Sequence, residues 1–206
     1  MTSVQELRQK FRVPGINDPE TLVHIARSRR YSQHCKMVEN ALAGKCPFCQ
    51  IDQEHNQVIL ETQFWTAVHC NPPEDHTRFH VLFIPKRHIT NSEALNEDEW
   101  IELRSIREQV RQRLDYQSRG LFIRDGDARR SAGTIAHLHI HEIVPDGTGR
   151  VELTLYKGDE DEIRGLQRAI VYEKLRQAGI RPDESSVLAR NVLSPEEHEL
   201  VADRLG

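Results

Sequence analysis

Three histidines at every second position, His137, His139 and His141, constrain this chain more than any other stretch. They lie in the run Gly133-Thr134-Ile135-Ala136-His137-Leu138-His139-Ile140-His141-Glu142. A strand sends residues i, i+2 and i+4 to one face, so the three imidazoles should share a face while Leu138 and Ile140 anchor the other side in a core. The outer two Cα atoms are then about 13 Å apart, at roughly 3.3 Å of rise per residue. One buried histidine usually means a hydrogen-bonded core residue. Three in register are too polar for that reading and point to phosphate or metal chemistry.

The rest of the composition narrows the class. A length of 206 residues fits one domain with extensions, and 37% hydrophobic residues suffice for one real core. The formal net charge of −4 argues against non-specific nucleic-acid binding. No apolar run reaches the length of a membrane span, and Met1-Thr2-Ser3-Val4-Gln5-Glu6-Leu7 has no signal-peptide core, so a cytoplasmic address is expected. Four cysteines make a poor disulfide scaffold. Two of them, in Cys46-Pro47-Phe48-Cys49, have the spacing of a metal knuckle. The remaining ligands must come from elsewhere, with Cys35 or His34 among the options; Cys70 reads as a buried thiol at a strand end.

Periodicity predicts a short helix over residues 1–13 and a longer one from about residue 19 to Gly44, opened by Asp18-Pro19-Glu20. Within it, Arg27-Ser28-Arg29-Arg30 reads first as a solvated basic face, with phosphate or RNA contact as the alternative. Strands are expected at Gln57 to Glu61, Phe64 to His69, Phe79 to Ile84, Gly120 to Arg124, Thr134 to Val144 and Val151 to Tyr156. Asn96 opens a helix reaching about Tyr116, with Trp100, Leu103, Ile106, Val110 and Leu114 as its core stripe. Further helices are predicted from Asp159 to Ala178, closed by Gly179, and after Ser194.

The triad, preceded by Phe79-His80-Val81-Leu82-Phe83-Ile84-Pro85-Lys86-Arg87-His88 and by Cys46-Pro47-Phe48-Cys49, resembles the histidine triad superfamily over about residues 45–157. The resemblance implies an α+β fold: an antiparallel β-sheet with flanking helices, here a domain at 45–157 with helical extensions at 1–44 and 158–206. It also implies a nucleotide substrate, a homodimer, and a covalent nucleotidyl-histidine. His139 then takes the nucleophile's place. His141 contacts phosphate or leaving group, Thr134 donates to the leaving oxygen, and His80 helps order the site. In zinc-bearing relatives the knuckle is completed by the histidine after the Pro-Lys segment and by the first of the triad, here His88 and His137. That implies a closed, structural Zn2+ site of Cys46, Cys49, His88 and His137.

The chain also departs from the pattern. Ala132-Gly133-Thr134 replaces the Gly-Gln-Ser/Thr of hydrolytic members, so the glutamine that reaches the transferred phosphate is missing. Asn71 stands nearest the usual acidic ribose-binding position. Arg124-Asp125-Gly126 replaces Asn-x-Gly, and Arg124, with Arg129 and Arg130, offers guanidinium groups to phosphates, though a solvated loop explains them equally well. His141, where transferases often carry glutamine, favours hydrolysis. The rival readings are a phosphorylase or sugar-nucleotide transferase, and a zinc-stabilised nucleotide-binding protein with little turnover.

Overall fold

The computed structural model describes residues 22–51, 57–127, 131–153, 155 and 159–182. Among the described residues, three helices, α1 (Tyr31–Leu42), α2 (Glu97–Leu114) and α3 (Asp159–Gln177), accompany five strands. These are β1 (Val58–Glu61), β2 (Trp65–His69), β3 (Thr77–Pro85), β4 (Gly120–Ile123) and β5 (Ile140–Pro145). The chain divides into two compact units: Met1–Cys46, Ala132–Ala136 and Tyr156–Gly206 in one, Pro47–Ser131 and His137–Leu155 in the other. Among the described residues no helix is long and apolar enough to cross a membrane.

The second unit holds the sheet. Its strands run in the order β1-β2-β3-β5-β4, and each neighbouring pair is antiparallel. This is the expected α+β arrangement of an antiparallel sheet with flanking helices. Alternation decides the two faces: Trp65, Ala67, Val81 and Phe83 pack with Leu103, Ile106 and Val110 of α2, joined by Leu138 and Ile140. Ile106 and Val110 have no exposed surface, and each such burial is worth about 1.5–3 kcal/mol. The opposite face carries a smaller apolar group, Val68, Leu82 and Ile84, flanked by Phe48 and Ile51.

Helix α2 begins after Asn96, as expected, and a capping box closes its first turn. The Asn96 side chain accepts from the Glu99 N–H, and Glu99 accepts from the Asn96 N–H. Trp100, expected in the core stripe, is 41% exposed instead. Glu99 takes the inward position, its carboxylate held by two bonds from Arg87.

In the first unit the single helix expected over 19–44 is broken. A 3₁₀ turn at Ile25–Arg27 ends when the Ser28 hydroxyl donates to the Ile25 carbonyl and Ser28 turns extended. Helix α1 starts three residues later, with the Gln33 side chain accepting the Arg29 N–H. Helix α3 packs on the 3₁₀ turn so closely that a Cβ at Gly165 would lie 2.5 Å from the Ala26 carbonyl oxygen. As expected, Gly179 ends the α3 region in a left-handed conformation, at φ +69°. The helices expected at 1–13 and after Ser194 lie outside the described residues.

Two expected strands are corrected. The histidine strand starts at Ile140 rather than Thr134, and residues 151–153 and 155 are not strand. Within residues 134–139 the only strand-like pairing is an isolated bridge between Val23 and Ile135. Ala132 at φ +59° starts this irregular stretch.

Candidate active site and metal centre

The sheet face opposite α2 collects the histidines. His141 lies on β5 opposite Leu82, and His80 on β3 opposite Ile143. His139 precedes β5, and its ring lies 4.9 Å from that of His141. All three triad histidines are buried.

Hydrogen bonds fix which nitrogen of each ring carries the proton. His139 Nδ1 is 2.7 Å from the His137 carbonyl oxygen, so it donates there and leaves Nε2 as the basic atom. Burial pushes the His139 pKa down to about 4; the bond to the His137 carbonyl opposes this, and Arg124 adds to it. The ring is therefore neutral at pH 7. His80 Nδ1 accepts the Glu74 N–H at 3.1 Å, so its Nε2–H donates to His141 Nδ1 at 2.8 Å. His141 is thereby held as the Nε2–H tautomer, a proton donor at that nitrogen.

The cysteine and histidine cluster stands beside this row. One ligand atom from each of Cys46, Cys49, His88 and His137 can be chosen so that all four lie within 4.8 Å of one another. Cys49 Sγ is 3.2 Å from His88 Nδ1 and 3.6 Å from His137 Nδ1. Ligands about 2.3 Å (sulfur) and 2.0 Å (nitrogen) from a tetrahedral zinc ion would be roughly 3.6 Å apart, so the spacing fits that ion. His137 Nε2–H donates to the Pro85 carbonyl at 2.9 Å, which leaves Nδ1 as the donor atom facing the cysteine. Burial pushes the His137 pKa down to about 4, against the pull of that carbonyl, so the ring is in the neutral form a metal requires.

Arg124 stacks its guanidinium over Phe122, 5.0 Å from the ring centre, and donates to the Ser131 carbonyl. Asn71 is exposed in the loop between β2 and β3. Gly133 and Thr134 belong to the helical unit, where the Thr134 carbonyl accepts the His24 N–H at 2.7 Å. His34, an alternative metal ligand on the sequence, is buried against Glu173, and Cys35 packs with Tyr31, Val171, Tyr172 and Leu175. Cys70 is half-buried at the end of β2 and donates to the Pro72 carbonyl. Arg129 and Arg130 lie outside the described residues.

Three participants escaped the sequence. Phe48 sets its ring edge-on to His137 and His139, with centroids 5.9 and 5.1 Å away. Its place between the two cysteines was the only available signal. The Pro85 carbonyl and the Glu74 N–H are backbone groups, invisible in side-chain patterns.

Residues 45–155 match a family model described as "Scavenger mRNA decapping enzyme C-term binding". Among solved structures, the chain is similar to a HIT family hydrolase from Clostridium thermocellum, at 26% identity and TM-score 0.43, over 52% of this chain and 95% of that one. It is also similar to a zinc-bound histidine triad family protein from Mycobacterium smegmatis, at 24% identity and TM-score 0.43, over 66% of this chain and 99% of that one. A third is Plasmodium falciparum diadenosine triphosphate hydrolase in complex with cyclomarin A, at 16% identity and TM-score 0.40, over 64% and 82% of the two chains. No curated protein matches.

Proposed function

We propose a function on the premise that the chain belongs to the scavenger mRNA decapping enzyme C-terminal family, which is histidine triad-like. The protein hydrolyses a phosphoanhydride, ester or phosphoramidate bond at the α-phosphate of a nucleotide, through a covalent nucleotidyl-His139. The observation that carries this reading is the 2.7 Å bond from His139 Nδ1–H to the His137 carbonyl, which leaves Nε2 basic in a buried ring.

In the first step the Nε2–P bond forms and the bond from phosphorus to the leaving atom breaks. The carbonyl of His137 supports the positive charge developing on the ring. The leaving atom takes a proton from His141 Nε2–H or the Thr134 hydroxyl. Water then attacks phosphorus, the P–Nε2 bond breaks, and the water's proton restores the donor. His141 and Arg124 supply positive or donor groups to the anionic centre, in place of the missing glutamine. Gly133 would let the backbone approach the phosphate and Asn71 would hold the ribose. Val68, Leu82 and Ile84 share the sheet face of His141, and with Phe48 and Ile51 they offer an apolar wall for the base. Zinc in the Cys46, Cys49, His88, His137 cluster would be structural, since four protein ligands close its coordination shell. Homodimer formation and a cytoplasmic site of action belong to the same proposal.

The test is acid-labile trapping of radiolabel from an α-32P nucleotide substrate. Wild type should trap label, and His139→Ala should trap none while turnover falls on the order of 10⁴-fold or more. Turnover only in the presence of phosphate or a sugar phosphate would make it a transferase. Nucleotide binding without adduct would make it a binding protein.

A further inference from the structure

The loop between β2 and β3 is tied to the turn after β5 by a chain of bonds that ends at the triad. The Thr148 hydroxyl donates its one proton to Asp146 Oδ1 at 2.7 Å, and the Thr148 N–H donates to the same oxygen at 2.7 Å. Toward His76 the hydroxyl can therefore only accept, so His76 Nδ1–H donates to it at 2.9 Å. The His76 carbonyl accepts the Asp146 N–H at 3.0 Å. His76 sits at φ +60°, a left-handed conformation that local bonds must hold. Its ring fills the space above Gly149, where an added Cβ would come within 2.6–2.7 Å of three ring atoms. Two residues earlier in the loop, the Glu74 N–H bonds His80 Nδ1, and the Glu74 carbonyl accepts from the Thr77 hydroxyl at 2.7 Å.

We propose that His76, clamped by Thr148, Asp146 and Gly149, is a positioning residue that aims the Glu74 N–H and so sets the tautomers of His80 and His141. The argument is one of proton bookkeeping. If the Glu74 N–H moves away, His80 Nδ1 loses its donor, and the ring is free to carry its proton there instead. His80 Nε2 would then accept from His141 Nδ1–H, and His141 Nε2 would no longer hold the proton. An exposed clamp thus selects a buried proton donor. The inference rests on the hydrolase reading for its consequence in turnover, but the tautomer itself is measurable without any substrate.

The experiment uses the full-length protein labelled with 15N-histidine and long-range 1H–15N correlation spectra, which distinguish protonated from bare ring nitrogens. Wild type should show Nε2–H tautomers at His80 and His141. Gly149→Ala, which displaces the His76 ring, and Thr148→Val, which removes its acceptor, should each raise the Nδ1–H tautomer of both rings to a measurable share. Turnover should fall about fivefold with KM unchanged, the loss expected for one hydrogen bond of about 1 kcal/mol. Thr148→Ser keeps the hydroxyl and should restore wild-type spectra and rate. Unmoved His80 and His141 signals in folded Thr148→Val, whatever its rate, would overturn the proposal, as would an Nδ1–H tautomer at His141 in wild type. Tautomers that respond as expected in a protein forming no adduct on His139 would keep the clamp and sink the hydrolase reading instead.

Discussion

His137 does three things with three atoms. Its Nε2–H holds the Pro85 carbonyl, its Nδ1 faces Cys49, and its own carbonyl accepts the His139 proton. A metal held at Nδ1 would therefore also steady the group that orients His139. Cys49→Ser should lower bound zinc from about one ion per chain to near zero, read by elemental analysis after dialysis. Tm should fall by at least about 5 °C, or roughly 2 kcal/mol for a chain of this size. Unchanged metal content and melting would remove zinc from the account. The sequence displayed Cys46 and Cys49 through their knuckle spacing, whereas His88 and His137 could be named only through the family resemblance. It did not display what aims them: Pro85 contributes a carbonyl and Glu74 an N–H, and every residue type except proline has both groups.

At the scale of elements, alternation identified the strand residues better than their limits. Leu138 and Ile140 enter the core as expected, yet β5 begins only at Ile140, since the Leu138 N–H donates to the Ile89 carbonyl rather than to a ladder partner. The break at Ser28 was similarly hidden, because a hydroxyl that bonds back to Ile25 looks like any polar helix residue. Glu142 faces away from the histidines and has no exposed surface. It accepts from Arg107 Nε at 2.6 Å and from the Tyr116 hydroxyl, with Arg119 Nε at 3.2 Å. It thereby ties β5 to α2 and to the approach to β4. Glu142→Ala should destabilise the protein by about 3 kcal/mol, the low end for breaking a buried pair, since Arg107 and Arg119 retain some solvent. Glu142→Gln should lose less, because its amide oxygen still accepts from Tyr116. Urea unfolding of both variants measures the difference, and equal losses would mean the charge contributes little.

At the scale of the whole molecule, the helical unit holds a buried pair that makes its stability depend on pH. His34 Nε2 lies 3.3 Å from Glu173 Oε2, and Arg176 and Gln177 also bond that carboxylate. Burial lowers the His34 pKa from 6.5, more than Glu173 raises it, so the folded ring stays neutral and donates. As pH falls below 6.5, the unfolded chain takes up a proton that the folded one resists, and stability declines down to the folded pKa. For Glu173, burial works toward a higher pKa, but the bonds from Arg176, His34 and Gln177 outweigh it and hold the pKa at about 2. Its contribution is complete above the ordinary carboxylate value of 4.5 and is lost as pH drops toward 2. Both groups therefore make the fold weaker in acid, in successive windows. His34→Gln keeps a neutral donor but cannot titrate. As pH falls below 6.5, its unfolding free energy should fall less steeply than wild type, by up to about 1.4 kcal/mol per pH unit for the one proton removed. Urea titrations followed by far-UV circular dichroism at pH 7, 6 and 5 give both slopes. Parallel slopes would show that His34 is charged in the folded protein, and that its contact with Glu173 is an ion pair rather than a neutral donation.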